Sequence, residues 1–163
     1  MYRIRPMSPE DRVSIFKILG ETKMFTKAEI DVALELVDIY LQEKDQEDYH
    51  LFVVESRTGI VAGYVCFGPT PATQGSFDLY WIAVSPVFQA KGMGTALLRF
   101  AEDEIRNQGG RLILIETSSQ KKYEPTQQFY TRSGYTLESR IKDFYRPGDD
   151  RLTYVKRLKS KEE

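Results

Sequence analysis

Cysteine and histidine are nearly absent from this chain, which carries one of each, Cys66 and His50. A lone cysteine excludes an internal disulfide, and one thiol with one imidazole is too few for an ordinary structural zinc site. No metal is expected. No segment approaches the roughly 20 consecutive apolar residues needed to span a bilayer, and Met1-Tyr2-Arg3-Ile4-Arg5-Pro6 has no apolar stretch of secretory length. A cytoplasmic protein without a membrane partner is expected. Charge of one sign is also missing: 23 basic side chains face 24 acidic ones. No global field draws the chain to nucleic acid, so function must come from a local site.

What is present suits one globular domain covering residues 1–163, since 41% of the residues are apolar and a chain of this size can bury one sizeable core. The opening residues alternate as a strand. Ser8-Pro9-Glu10-Asp11 then reads as a cap, a proline at the first helical position and acids in the first turn, predicting a helix to about Leu19. Thr26 with Glu29 is a capping box ahead of Ile30, Leu34, Val37 and Leu41 at helical spacing. Leu51 to Val54 and Ile60 to Phe67 are β-rich runs around the turn Ser56-Arg57-Thr58-Gly59, and Phe77 to Val84 is a further strand ended by Pro86. A helix with Met93, Leu97, Phe100, Ala101 and Ile105 on its apolar face stops at Gly109-Gly110. Leu112-Ile113-Leu114-Ile115, apolar without alternation, predicts a parallel strand covered on both faces. A short helix from about Pro125 to Arg132 and two strands around Pro147-Gly148 follow. The fold class is α/β (α+β), with a mixed, mostly antiparallel sheet and helices on both faces.

The chemistry is concentrated after Val84, where Gln89-Ala90-Lys91-Gly92-Met93-Gly94-Thr95 runs into the amphipathic helix. Backbone N–H groups converge at a helix N-terminus, which makes an anion site, and the glycines let the backbone approach a pyrophosphate. The P-loop pattern is absent because no Gly-Lys-Ser/Thr closes the loop. A dinucleotide fingerprint would place its third glycine where Leu97 stands.

Gln89-x-x-Gly92-x-Gly94 resembles the Gln/Arg-x-x-Gly-x-Gly/Ala motif of the GNAT superfamily of N-acetyltransferases. Phe129-Tyr130-Thr131-Arg132-Ser133-Gly134-Tyr135 looks like that family's second signature. The resemblance is tight from about Phe77 to Tyr135, and residues 1–50 carry no family motif. It implies acetyl-CoA as co-substrate, with residues 89–95 on its pyrophosphate and the backbone of Ile82, Ala83 and Val84 along its pantetheine arm. It also implies that the strand ending at Val84 splays from that of residues 112–117. Tyr123 stands where many members carry an asparagine, and it joins Tyr130 among the expected cofactor-side residues.

For catalysis, Tyr130 resembles the family's general acid, and Asp78 occupies a position where several members carry a glutamate base. Glu116, at the end of the neighbouring strand, is the second candidate base. A lysine-like amine of pKa about 10.4 needs such help, because deprotonation at pH 7 costs roughly 4 to 5 kcal/mol. The activity expected is acetyl transfer to a primary amine of a small molecule or peptide; a non-catalytic acyl-CoA sensor is the alternative. Whether the last strands build a homodimer stays open.

Other features read more plainly. His50 and Cys66, on adjacent hairpin strands, invite a nucleophile pair if they are cross-strand neighbours, but no third orienting residue is evident. Ser118-x-x-Lys121 imitates a serine–lysine pair without its partner motifs. Eight acids between Thr26 and Asp48 (Glu29, Asp31, Glu35, Asp38, Glu43, Asp45, Glu47, Asp48) face Lys27 and Lys44. They form a solvated helix face or steer a cationic acceptor, with the loop Lys23-Met24-Phe25 and the turn Phe144-Tyr145-Arg146 as candidate walls.

Overall fold

The computed structural model describes residues 1–159. Seven strands and four α-helices alternate as β1 (Tyr2–Pro6), α1 (Arg12–Glu21), α2 (Lys27–Gln42), β2 (His50–Ser56), β3 (Val61–Pro69), β4 (Ser76–Val84), α3 (Met93–Asn107), β5 (Leu112–Ser118), α4 (Glu124–Arg132), β6 (Thr136–Arg146) and β7 (Asp149–Arg157). This is the expected element order. Neighbouring strands run β1-β2-β3-β4-β5-β7-β6, with β4–β5 parallel and the β1–β2, β2–β3, β5–β7 and β6–β7 pairs antiparallel. The chain divides into two compact units, residues 1–68 with 80–103 and residues 69–79 with 104 onward.

In the first unit, strand alternation separates two packing faces. Leu51 and Val53 of β2 join Tyr64 and Cys66 of β3 beneath Ile15, Ile18, Leu19, Ala33 and Val37 of α1 and α2. Phe52 points the other way and meets Phe100 of α3 edge-on, at 4.7 Å between ring centroids. Helices therefore cover both faces. The N-terminus of α2 carries the anticipated capping box: Thr26 Oγ1 accepts from the Glu29 N–H at 3.2 Å while Glu29 accepts from Thr26 N–H. The first helix departs from expectation by opening with a single 3-10 turn over Pro9–Asp11 and running on to Glu21. Its cause is Asp11, whose Oδ2 takes the Ser8 N–H at 2.8 Å and so tightens the first turn.

In the second unit, β5 runs parallel to β4 as expected, but it is not covered evenly on both faces. Ile113, Ile115 and Thr117 are buried, Leu112 and Leu114 half-buried, and Glu116 exposed. The strand alternates because it pairs with antiparallel β7 on one side and with β4 over only Ser76↔Leu112, Phe77↔Ile113 and Asp78↔Leu114. Its C-terminal end is latched to β7: Ser118 Oγ donates to Asp149, and the Asp150 N–H donates to Ser119 Oγ at 2.8 Å. That network removes Ser118 from any serine–lysine chemistry.

The first unit also contains a buried ionic clamp. Arg5 donates through Nη1 and Nη2 to both oxygens of Asp11, at 2.7 and 3.0 Å, and through Nε to Glu55 at 3.0 Å. Burial pushes the Asp11 carboxyl up, but the bonds from Arg5 and Ser8 outweigh it and hold it below the usual aspartate value. A depressed pKa contributes stability that is present above the unfolded value of about 3.9 and is lost as pH falls through the folded one. Asp11→Asn should therefore cost about 2 kcal/mol at pH 7 and flatten the loss of stability below about pH 4, read by urea denaturation across pH.

Candidate active site

The end of β4 sets the first part of the site. Pro86, lacking an N–H, cannot extend the ladder, and the Ser85 N–H turns to Ala62 O at 2.7 Å. Gly63 of β3 lies against this end so closely that a Cβ would stand 2.6 Å from Ala83 O and 3.2 Å from Val84 Cα. Gln89 Nε2 donates to Val84 O at 3.2 Å, tying the following loop back to the strand. Ile82 and Val84 are half-buried and Ala83 is buried.

The loop then changes hand twice. Ala90 has φ +62° and Gly92 φ +80°, on either side of Lys91, and such alternation turns successive N–H groups toward a common anion-sized concavity. The first intrahelical bond of α3 runs from the Ala96 N–H to Gly92 O at 3.0 Å. The amides of Met93, Gly94 and Thr95 thus precede the ladder and have no helical acceptor. Gly92 has no side chain to cap them, and a Cβ there would meet nothing within 4 Å. Ala90 holds a left-handed conformation that costs a non-glycine residue roughly 1 to 2 kcal/mol, and strain of this kind marks functional sites. Lys91 Nζ lies 5.7 Å from the Phe88 ring centre, beside the concavity. Buried Leu97, Leu98, Ala101 and Ile105 fix the helix that presents these amides.

The remaining candidates belong to the second unit. Tyr130, buried on α4, packs among Phe129, Tyr135 and Tyr154 at centroid distances of 5.7, 6.1 and 6.0 Å. Burial alone pushes its phenol well above the usual tyrosine value, which favours the protonated form. Tyr123 is buried at the N-cap of α4, with its N–H on Gln120 O at 2.9 Å. Asp78 Oδ2 accepts from Thr70 Oγ1 at 2.7 Å. Glu116 is exposed, and Arg151 Nη1 lies 3.8 Å from its Oε1. The pairings Asp78↔Leu114 and Glu116↔Thr153 put both acids on one face, because residues two apart on a strand share a side. Tyr154, opposite Ile115, is on the other face, and Tyr130 packs against it.

A family model for the acetyltransferase (GNAT) domain matches residues 47–137. A GNAT-family protein from Desulfovibrio desulfuricans is 42% identical with TM-score 0.92, over 96% of this chain and 99% of that one. The chain belongs to the GNAT family of acetyltransferases. Two more distant GNAT-like structures share the fold. They are the ribosomal-protein-S18-alanine N-acetyltransferase from Escherichia coli (17% identity, TM-score 0.77, 100% and 99% of the two chains) and a Salmonella typhimurium protein solved with its cofactor acetyl-CoA (21%, 0.74, 97% and 94%). A search of curated proteins finds no match. No group of three or more His, Cys, Asp or Glu among the described residues is placed to hold a metal, and no helix is long and apolar enough to cross a membrane.

Membership of the GNAT family leaves the His50–Cys66 pair without a role. His50 pairs with Phe67 and Leu51 with Cys66, so His50 and Cys66 occupy opposite faces of the hairpin. Cys66 is fully buried, and burial pushes its thiol up, the reverse of what a nucleophile needs. The acidic run on α2 is also partly committed: Asp38 binds Arg12 at 2.7 and 3.0 Å, and Glu29 caps its helix. Sequence reasoning missed Gly63, although a glycine inside a β-rich run is the usual sign of close backbone approach. Gly63→Ala should push Ala83 and Val84 aside, lowering stability by about 1 to 3 kcal/mol and weakening CoA binding, measured by thermal melting and calorimetry.

Proposed function

We propose that the whole chain acts as one N-acetyltransferase domain that takes acetyl-CoA as co-substrate and moves the acetyl group to a primary amine. The observation that carries this reading is the concavity made by left-handed Ala90 and Gly92 at the uncapped N-terminus of α3. A diphosphate supplies the acceptors that three unpartnered amides lack, and the helix dipole favours its charge. Gln89, Lys91, Met93, Gly94 and Thr95 complete the cradle. The backbone of Ile82 to Val84 takes the pantetheine arm, since β5 uses β4 only from Ser76 to Asp78. Tyr123 is assigned to the cofactor side by its place at the start of α4, where the family resemblance expects a cofactor contact.

In the proposed reaction, Asp78 or Glu116 accepts the amine proton, directly or through water. The attacking nitrogen forms the new C–N bond, and an amide of the Ile82–Val84 segment steadies the oxyanion that develops on the thioester oxygen. As the C–S bond breaks, the electron pair leaves on sulfur, and Tyr130 protonates the departing thiolate. Burial keeps the phenol protonated until that step, and the phenolate it leaves regains a proton from solvent before the next turnover.

Thiol release from acetyl-CoA across a panel of amines, paired with calorimetric CoA binding, tests the reading. Turnover with binding is expected; binding without turnover would make the protein a sensor, and no binding would end the proposal. Gly92→Ala puts a side chain on a backbone held at φ +80° and should shift the loop that carries the amides, raising the Kd for CoA at least tenfold while costing about 1 kcal/mol of stability. Tyr130→Phe should lower kcat by roughly 10²-fold with CoA affinity unchanged. In the wild-type enzyme, kcat should not fall near pH 10 through ionisation of Tyr130, as a stopped pH profile would show.

A further inference from the structure

Of the four arginines on β6 and β7, three are spoken for. Arg140 donates to Asp150 at 2.6 Å, Arg146 to Asp149 at 2.6 Å, and Arg157 to both oxygens of Glu138 at 3.2 and 3.1 Å. Arg151 is different. Its Nε is buried and has no hydrogen-bond partner among the described residues. The acid paired with it, Glu116, stands at 3.8 Å from Nη1, outside hydrogen-bond reach. The guanidinium is nevertheless held, because its central carbon lies 4.6 Å from the centre of the Phe144 ring.

That ring is placed by an irregular stretch of β6. The register passes from Ile141↔Arg151 directly to Arg146↔Asp149, leaving residues 142–145 bulged. Asp143 turns left-handed at φ +55°; its N–H is taken by Asp150 at 2.9 Å and its carboxylate takes the Gly148 N–H at 2.7 Å. Bulges re-aim side chains in this way beside functional sites. Arg151 shares its face with Ser118, its partner in β5, and therefore with Glu116 and Asp78. The result is a half-buried guanidinium whose Nε is buried without an acceptor, laid on an aromatic platform, on the face that carries both candidate bases.

We propose that Arg151 binds the carboxylate of the acceptor, which makes the acceptor an α-amino acid. This rests on the acetyltransferase reading above. A carboxylate matches the planar donor fork of a guanidinium, and it replaces the acceptor that burial has withdrawn. A phosphate would bring a second negative charge against Glu116, whereas a zwitterion brings its ammonium, which Glu116 and Asp78 attract. One molecule thereby satisfies the arginine with one end and presents its nitrogen to the acids with the other.

The test uses the full chain saturated with CoA, titrated by calorimetry with the twenty α-amino acids and with their carboxamides. At least one amino acid should bind ten or more times tighter than its carboxamide, and Arg151→Gln should erase that difference while leaving CoA affinity unchanged. Arg151→Lys should restore part of it, which a purely structural role would not. In thiol-release assays Arg151→Gln should raise KM for the amino acid roughly 30-fold with kcat nearly constant, and Arg151→Lys should raise it less. Equal affinity for acid and amide, or no amino acid binding at all to the CoA-saturated protein, overturns the assignment of Arg151. Loss of CoA binding in the wild-type protein instead overturns the acetyltransferase reading, so the two failures are distinguishable.

Discussion

A helix cannot satisfy its own first amides, and the two long helices of this chain treat that constraint in opposite ways. Helix α2 closes its N-terminus with Thr26 and Glu29, a reciprocal pair of hydrogen bonds that leaves nothing for a ligand. Helix α3 begins after a glycine, with its first ladder bond at Ala96, and leaves its amides open. That choice costs stability, because a capped end contributes about 1 kcal/mol and left-handed Ala90 adds strain. The apolar face of α3 offsets the cost: Leu97 and Leu98 are buried to within 1%, so the open end is held by the core rather than by a cap.

Everything on the strand side serves to keep that end in place. Val84 is the last residue of β4, and its carbonyl is bound by Gln89 from the loop it feeds. Ser85 is fastened to Ala62, and Gly63 lets β3 come within contact of the Ala83 carbonyl. A β-branched residue in place of Gly63 would separate the strands at the position where the loop departs. The cradle is thus a property of three consecutive backbone decisions, and the side chains around it mostly stabilise the backbone.

Those decisions differ in how plainly the sequence displays them. Capping boxes, glycine stops and β-rich runs are local, and they delivered the order of all eleven elements. The glycine pair at 92 and 94 was readable for the same reason. The strand β5 was misread because Leu112 to Ile115 are all apolar, and nothing local reveals that its neighbours are β4 for three residues and β7 for seven. The parity that separates His50 from Cys66 depends on hairpin register, which spacing alone does not fix. Arg151 was invisible, because its significance lies in the ring, the acid and the missing acceptor around it, brought together by a bulge whose position is set by Asp143 and Asp150.

The placement of the ionisable groups bears on how the proposed reaction manages its two protons. Tyr130 packs on the Tyr154 side of the β5–β7 ladder, while Glu116 and Asp78 share the opposite side. No carboxylate contributes to the shift of the Tyr130 phenol, which follows from burial alone. The phenol and the candidate bases therefore lie on opposite sides of the ladder and do not share a proton as the two members of a carboxylate dyad do. Separation suits a transfer in which one proton leaves the incoming amine and a different one reaches the departing sulfur. Burial keeps the phenol protonated but also makes it a weaker acid, so its transfer to a thiolate of pKa about 8.5 requires the bound complex to stabilise the phenolate that results.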